Sequence, residues 1–239
     1  MQVINSDPEI LGGTPVFNGT RVPIKNLFDY LETGETIAEF LDDFPSVTLK
    51  QVLFITDIEE IKRSLEIAVR EIYRNDYHLL KEGLNERAIT TRLFCYLRPF
   101  FLNHDVDHEY NGNIENARNR RKDMVGSELE FEPFRTIRKP KIIDGKAVIN
   151  ISPDIIVHKR GSNSKNILII EVKKTEQFNR LNLHDKFDIT KICYFTSLLN
   201  GFVFTLGVFL QIGVKQFCLR YFVEGVEIMI WKKTESVFY

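Results

Sequence analysis

Four consecutive aliphatic residues, Ile167-Leu168-Ile169-Ile170, lead directly into Glu171-Val172-Lys173. A run that is apolar at every position suits a central strand buried on both faces. It therefore commits the chain to a sheet covered on both sides. Residues two apart in a strand share a face, so Glu171 and Lys173 stand side by side where the buried strand ends. Unpaired burial of either charge is costly, and the pair needs a partner or a ligand. Upstream, Ser152-Pro153-Asp154-Ile155-Ile156 sets an acid beside a turn, from which Asp154 can reach the same place. Two carboxylates beside an ammonium form a hard-oxygen site for Mg²⁺, with Mn²⁺ as a substitute. The plainer alternative is a solvated pair at a strand end and an aspartate that caps a turn.

The elements around this segment follow from periodicity. Asn18-Gly19 is a hairpin signal within Val16 to Pro23. Ile24, Leu27, Phe28 and Leu31 have helical spacing, closed by Gly34. Thr36 caps a second helix with Glu39 as its capping-box partner, and Thr48 caps a third, Leu49 to Ile55. Ile58 to Tyr77 reads as a separate linking helix. Asn85 caps a helix from Glu86 to Phe101. Val106 to Asn111 reads as a strand. Gly112 to Gly145 has no steady period and reads as a long loop. Val148 to His158 forms one strand or a bent pair. Asn182 to Leu199 is helical, and Phe202 to Gln211, Phe217 to Val223 and Val226 to Trp231 are strands. The expected architecture is α/β (α+β): a small helical, winged or helix-turn-helix module, then an α/β sandwich around a central mixed sheet. The expected segments are 1–58, a linking helix over 59–78, and 79–239, with residues 1–58 and ~75–239 folding as separable units.

Charge is divided unevenly. Residues 1–60 hold eleven Asp/Glu and three Lys/Arg, leaving about +7 on the remainder of a chain whose net charge is −1. A basic remainder fits a polyanionic partner, with DNA expected over RNA. Arg118, Arg121 and Lys139, within the basic stretch from Arg118 to Lys141, are candidate phosphate contacts, as are Lys174 and Lys191. Each is equally readable as a solvated charge. No apolar run is long enough to span a membrane, and the first ten residues lack a signal-peptide core. Three cysteines without metal-like spacing suggest a cytoplasmic protein with buried thiols.

Pro153-Asp154 and Glu171-Val172-Lys173 resemble the signature of the PD-(D/E)xK nuclease superfamily. The resemblance implies a core of a helix, three strands, a helix and a strand. It also implies a metal-dependent nuclease with Asp154, Glu171 and Lys173 as catalytic residues. Glu86, near the start of the preceding helix, matches a further acid of that family, giving Asp154, Glu171 and Glu86 as implied metal ligands. Glu86 is also readable as a first-turn acid favoured by the helix dipole. His108, His158 and Glu109 lie near the site in sequence. The competing expectation is a regulator that keeps a nuclease-like fold without turnover.

The opening, Leu11-Gly12-Gly13-Thr14-Pro15-Val16-Phe17-Asn18-Gly19-Thr20-Arg21-Val22-Pro23, is similar to the family called domain of unknown function 433. Tyr30 to Thr36, Phe44-Pro45 and Val47-Thr48 agree with it. This resemblance implies an antitoxin-like helix-turn-helix module that binds DNA or a partner. With so few basic residues, docking to a protein or self-association through residues 1–58 is the expected role. Arg21 and Lys25 are the candidates for any backbone contact.

Overall fold

The computed structural model describes residues 2–82, 85–113, 121–163, 165–178, 180–228 and 233–236. Its first element, β1 (Ile4–Asn5), pairs antiparallel with β2 (Val16–Phe17), and the Asn18-Gly19 turn brings Val16 back beside Pro23. Two helices follow, α1 (Ile24–Thr33) and α2 (Ile37–Asp43). Gly34 ends α1 at φ 97°, a conformation that a Cβ would oppose. Thr36 and Glu39 cap α2 reciprocally, and Thr48 and Gln51 do the same for α3 (Leu49–Asn75).

Helix α3 corrects the reading of two helices in this region. It runs unbroken for 27 residues, so the boundary expected at residue 58 falls inside it. The apolar positions Val52, Ile55, Ile58, Ile61, Leu65, Ala68, Val69 and Ile72 form one buried stripe. Nothing between Ile55 and Ile58 breaks that period. The N-terminal end of the stripe packs with Phe17, Leu27 and Phe40, and the whole belongs to the same apolar cluster as the central sheet. The Tyr73 hydroxyl donates to the carbonyl oxygens of Gly213 and Gln216 at 2.8 and 2.7 Å. At the other end, the backbone N–H of Val3 donates to the Glu224 carboxylate at 2.8 Å. The first 60 residues are therefore stitched to the rest through both packing and hydrogen bonds.

A short helix, α4 (Tyr77–Lys81), leads to α5 (Glu86–Leu97), which Asn85 caps by accepting from the Ala88 N–H. Next come β3 (Asp105–His108), β4 (Asp123–Gly126), a single turn α6 (Glu128–Phe131), β5 (Lys141–Ile143) and β6 (Lys146–Asn150). Then follow β7 (Ile155–His158), β8 (Leu168–Lys174), α7 (Leu183–Thr196), β9 (Leu206–Ile212), β10 (Gln216–Val223), β11 (Val226–Glu227) and β12 (Lys233–Ser236). Leaving out the inserted β4, α6, β5 and β6, the order from α5 onward is α5, β3, β7, β8, α7 and β9.

The main sheet runs β11-β10-β9-β8-β7-β3, with β12 also paired to β10. It is mixed: β8 and β9 are parallel and their neighbours antiparallel. One face, carrying Leu168, Ile170 and Val172, packs with the apolar residues of α3 and α5. The other carries Ile169 and Phe209 and packs with Phe187, Ile192 and Phe195 of α7. This is the α/β sandwich that the doubly buried β8 demands.

Two further expectations are corrected. The segment 112–145 is not wholly irregular, because β4, α6 and β5 lie in it. Its strands join β6 in a three-stranded antiparallel sheet, order β4-β6-β5. The segment Val148 to His158 is two strands in different sheets, with Ile151 to Asp154 as the crossing. The insert escaped periodicity because its strands are three or four residues long and flanked by charges. The thiol of Cys95 is exposed, Cys193 is half-buried and only Cys218 is buried; all three are free. Among the described residues no helix is long and apolar enough to cross a membrane.

Candidate active site

The register of β7 and β8 brings the two proposed acids together. Ile155 pairs with Ile170, so the next position outward sets Asp154 opposite Glu171. Facing residues of an antiparallel pair share a face. Asp154 is held there by its carboxylate, which accepts from the Val172 N–H at 2.8 Å. Its own carbonyl accepts from the Glu109 N–H at 3.0 Å, and the Ser152 hydroxyl donates to the Glu109 carbonyl at 2.6 Å. The turn before β7 is thus clamped to the end of β3.

Glu171 lies on the α7 side of the sheet and is 2 % exposed. Its Oε2 meets the Lys191 ammonium of α7 at 2.9 Å, and Lys191 also meets Asp188 at 2.8 Å. Its Oε1 is buried without a hydrogen-bond partner among the described residues. Burial pushes the Glu171 carboxyl well up, Lys191 opposes this, and the charge of Asp154 reinforces it. Burial likewise raises Asp154 to about 6, against the pull of the Val172 N–H and Lys191. Burial also works against the Lys191 ammonium, but Glu171 and Asp188 more than compensate and hold its pKa above the ordinary value. These directions compete, since a neutral Glu171 would leave Lys191 one anion fewer. We take Lys191 as charged and the surplus proton as shared by Asp154 and Glu171, because Asp154, Glu171 and Asp188 bring three carboxyls to one ammonium.

The structure separates the other expected residues. Lys173 shares the Glu171 face, is partly exposed, and lies 3.5 Å from Glu86. The Glu86 carboxylate also accepts from the Lys174 N–H at 3.0 Å. Glu86 is therefore turned to the end of β8, close enough to raise the Asp154 carboxyl. The Lys174 ammonium donates to the Leu79 carbonyl at 3.1 Å. Lys191, expected as a phosphate contact, is instead buried inside the acid cluster. Arg121 and Lys139 line a groove on the three-stranded sheet. Arg118 lies outside the described residues. Glu109 pairs with Arg87 at 2.8 Å. His158 bonds Asp107 at 2.9 Å, and Arg160 also bonds Asp107; this network lies on the β3–β7 edge. His108 ends β3 opposite Ile155.

Two residues of the cluster escaped the sequence reading. Asp188 was hidden because an acid one turn before Lys191 looks like an ordinary helix-surface pair. Gln211 was read as the end of an apolar strand. It is 1 % exposed, lies beside Lys173 in the parallel β8–β9 register, and neither polar atom of its amide has a partner among the described residues. A polar residue ending a buried run beside Lys173 is the signal that could have marked it.

Among the described residues, no group of three or more His, Cys, Asp or Glu side chains is arranged to hold a metal ion. The fit to Mg²⁺ rests on two carboxylates, which suffices for an ion that keeps several waters and takes one or two protein carboxylates. The unpartnered Glu171 Oε1 and the surplus of acids over cations both favour a cation there.

Comparison with known proteins bears on the first quarter of the chain. Residues 4–57 match the family described as protein of unknown function (DUF433). A stretch of 51 residues is similar to the uncharacterized protein y4eO of Sinorhizobium fredii (strain NBRC 101917 / NGR234), at 35% identity. That match covers 21% of this chain and 23% of the relative. No solved structure matches.

Proposed function

We propose that the protein is a divalent-metal-dependent nuclease that hydrolyses phosphodiester bonds, with DNA as substrate, in the cytoplasm. The observation that carries this reading is the facing pair of half-buried Asp154 and buried Glu171, acid-rich and bordered on the same face by Lys173. Asp154 and Glu171 would hold Mg²⁺ or Mn²⁺, with Glu86 near enough to join through water. When bound, the ion polarises the phosphoryl group and lowers the pKa of an attacking water. Lys173, partly exposed on the same face, orients that water and offsets charge developing on the phosphate oxygens. Lys191 neutralises part of the acid cluster and holds the Glu171 carboxylate in one rotamer. The deciding experiment is a cleavage assay on plasmid, linear duplex and single-stranded DNA with Mg²⁺ or Mn²⁺, against the Lys173→Ala protein. Cleavage by the wild type that falls at least ~100-fold in the variant fits the loss of a group acting in the transition state. No cleavage of any of these DNAs by the wild type contradicts the reading.

A second reading is a regulator that retains the fold without turnover. It is favoured by the Lys191 ammonium on Glu171 and by Glu86 on Lys173, which occupy groups that catalysis needs. For residues 1–58 we favour docking to a protein or a second copy over DNA binding. Acidic residues outnumber basic ones there, and Leu31, Leu49 and Leu53 are exposed.

A further inference from the structure

The inserted sheet β4-β6-β5 carries a groove of about 560 Å³ lined by Arg121, Arg138, Lys139, Lys141, Asp123 and Asn150. All four cations are exposed. The one carboxylate of the lining, Asp123, is buried and accepts from the Asn150 amide at 3.0 Å. The open side of the groove is therefore cationic. A concave surface lined by several cations suits a chain of phosphates.

Its position supplies an independent argument. Strand β6 ends at Asn150 in the groove wall, and the chain reaches Asp154 four residues later. The Ile151 N–H donates to the Lys122 carbonyl at 3.1 Å, fixing that crossing to β4. Four extended residues span at most ~14 Å, about four nucleotides of rise along one strand of a duplex. The groove wall at Asn150 therefore lies within that distance of Asp154.

We propose that this groove binds the phosphodiester backbone of a nucleic-acid strand and feeds it to the Asp154–Glu171 site. This rests on the nuclease reading for its direction, while the binding itself does not. Each phosphate neutralised releases counterions, so binding has a measurable salt slope. The test is fluorescence anisotropy of labelled single-stranded and duplex 20-mers with the full chain in EDTA, over a salt series. The wild type is compared with the triple variant Arg138→Ala, Lys139→Ala, Lys141→Ala. A control is Arg135→Ala, whose side chain is engaged by Glu128 and Glu132. The expected result is a slope of log affinity against log salt shallower by about 2 to 3 in the triple variant. Affinity should fall at least tenfold at moderate salt, with unchanged melting temperature, and the control should match the wild type. An unchanged slope overturns the proposal. So does binding of millimolar inorganic phosphate, read by calorimetry at fixed ionic strength, without any oligonucleotide binding, which would make the groove a free-anion site. Cleavage assayed separately distinguishes the two claims. A wild type that binds with the expected slope but never cleaves leaves the groove standing and removes the nuclease reading. A triple variant with unaltered binding and full cleavage does the reverse.

Discussion

Gln211 is the residue whose chemistry is least explained by folding alone. A buried amide without partners costs roughly 1–3 kcal/mol, and a leucine of similar volume carries no polar atom to leave unsatisfied. Gln211→Leu should therefore raise the melting temperature by a few degrees, since 1 kcal/mol moves a chain of this size by roughly 2–4 °C. It should also lower the cleavage rate, because the amide stands beside Lys173. A variant that is both no more stable and fully active would remove Gln211 from the site. Lys191 makes the opposite case. Lys191→Met should destabilise strongly near pH 8, by roughly 3–5 kcal/mol, because Glu171 would be left as an unpaired buried charge. The loss should be smaller at pH 5 than at pH 8, because burial pushes the Glu171 carboxyl up and favours its protonated form as pH falls. Melts at both pH values check this, and equal losses would show that Glu171 is neutral throughout. Asp154 sets a third expectation. Its folded pKa of about 6 lies above the ordinary 3.8, so its contribution to stability is present at low pH and is lost as pH rises through 6. A bound divalent ion should cancel that loss by favouring the carboxylate. The rise in melting temperature on adding Mg²⁺ should therefore be larger at pH 8 than at pH 5, and an equal rise at both would contradict it.

At the level of elements, the sequence was most legible where a period was long or a cap was explicit. Strand β8 was evident from its unbroken aliphatic run, and α2 and α5 from Thr36 and Asn85. The facing of Asp154 and Glu171 was only half legible. Each strand could be read alone, but their register depends on the turn between β7 and β8. Helix α3 was misread as two helices, although its apolar stripe continues through Ile55, Ile58 and Ile61. The continuity has a mechanical consequence. Removing residues 1–74 would strip the apolar stripe of α3 from Leu168, Ile170, Val172 and their neighbours on the sheet. Such a chain should aggregate, contrary to the separable folding expected from charge, whereas one beginning at Ser46 retains α3 and its cap. Recovery of a soluble, cooperatively melting protein from Asn75 onward would show that α3 is dispensable to the core.

Across the whole molecule, the acidic opening and the basic insert lie on different parts of one structure. The sheet joins them, with α3 on one face and α7 on the other. The proposed catalytic groups gather where Asp154, just before β7, faces Glu171 of β8, and the cationic groove opens on the inserted sheet a few residues away. The match to the DUF433 family covers the acidic part, so the chemistry of the sheet stands on its own geometry. The most direct test of that chemistry is Mg²⁺-dependent cleavage of plasmid DNA by the wild type, Asp154→Asn and Glu171→Gln, with melts confirming that each variant is folded. The geometry predicts cleavage by the wild type and loss of at least ~100-fold in both variants. Cleavage at the wild-type rate by either folded variant would contradict the assignment of the site.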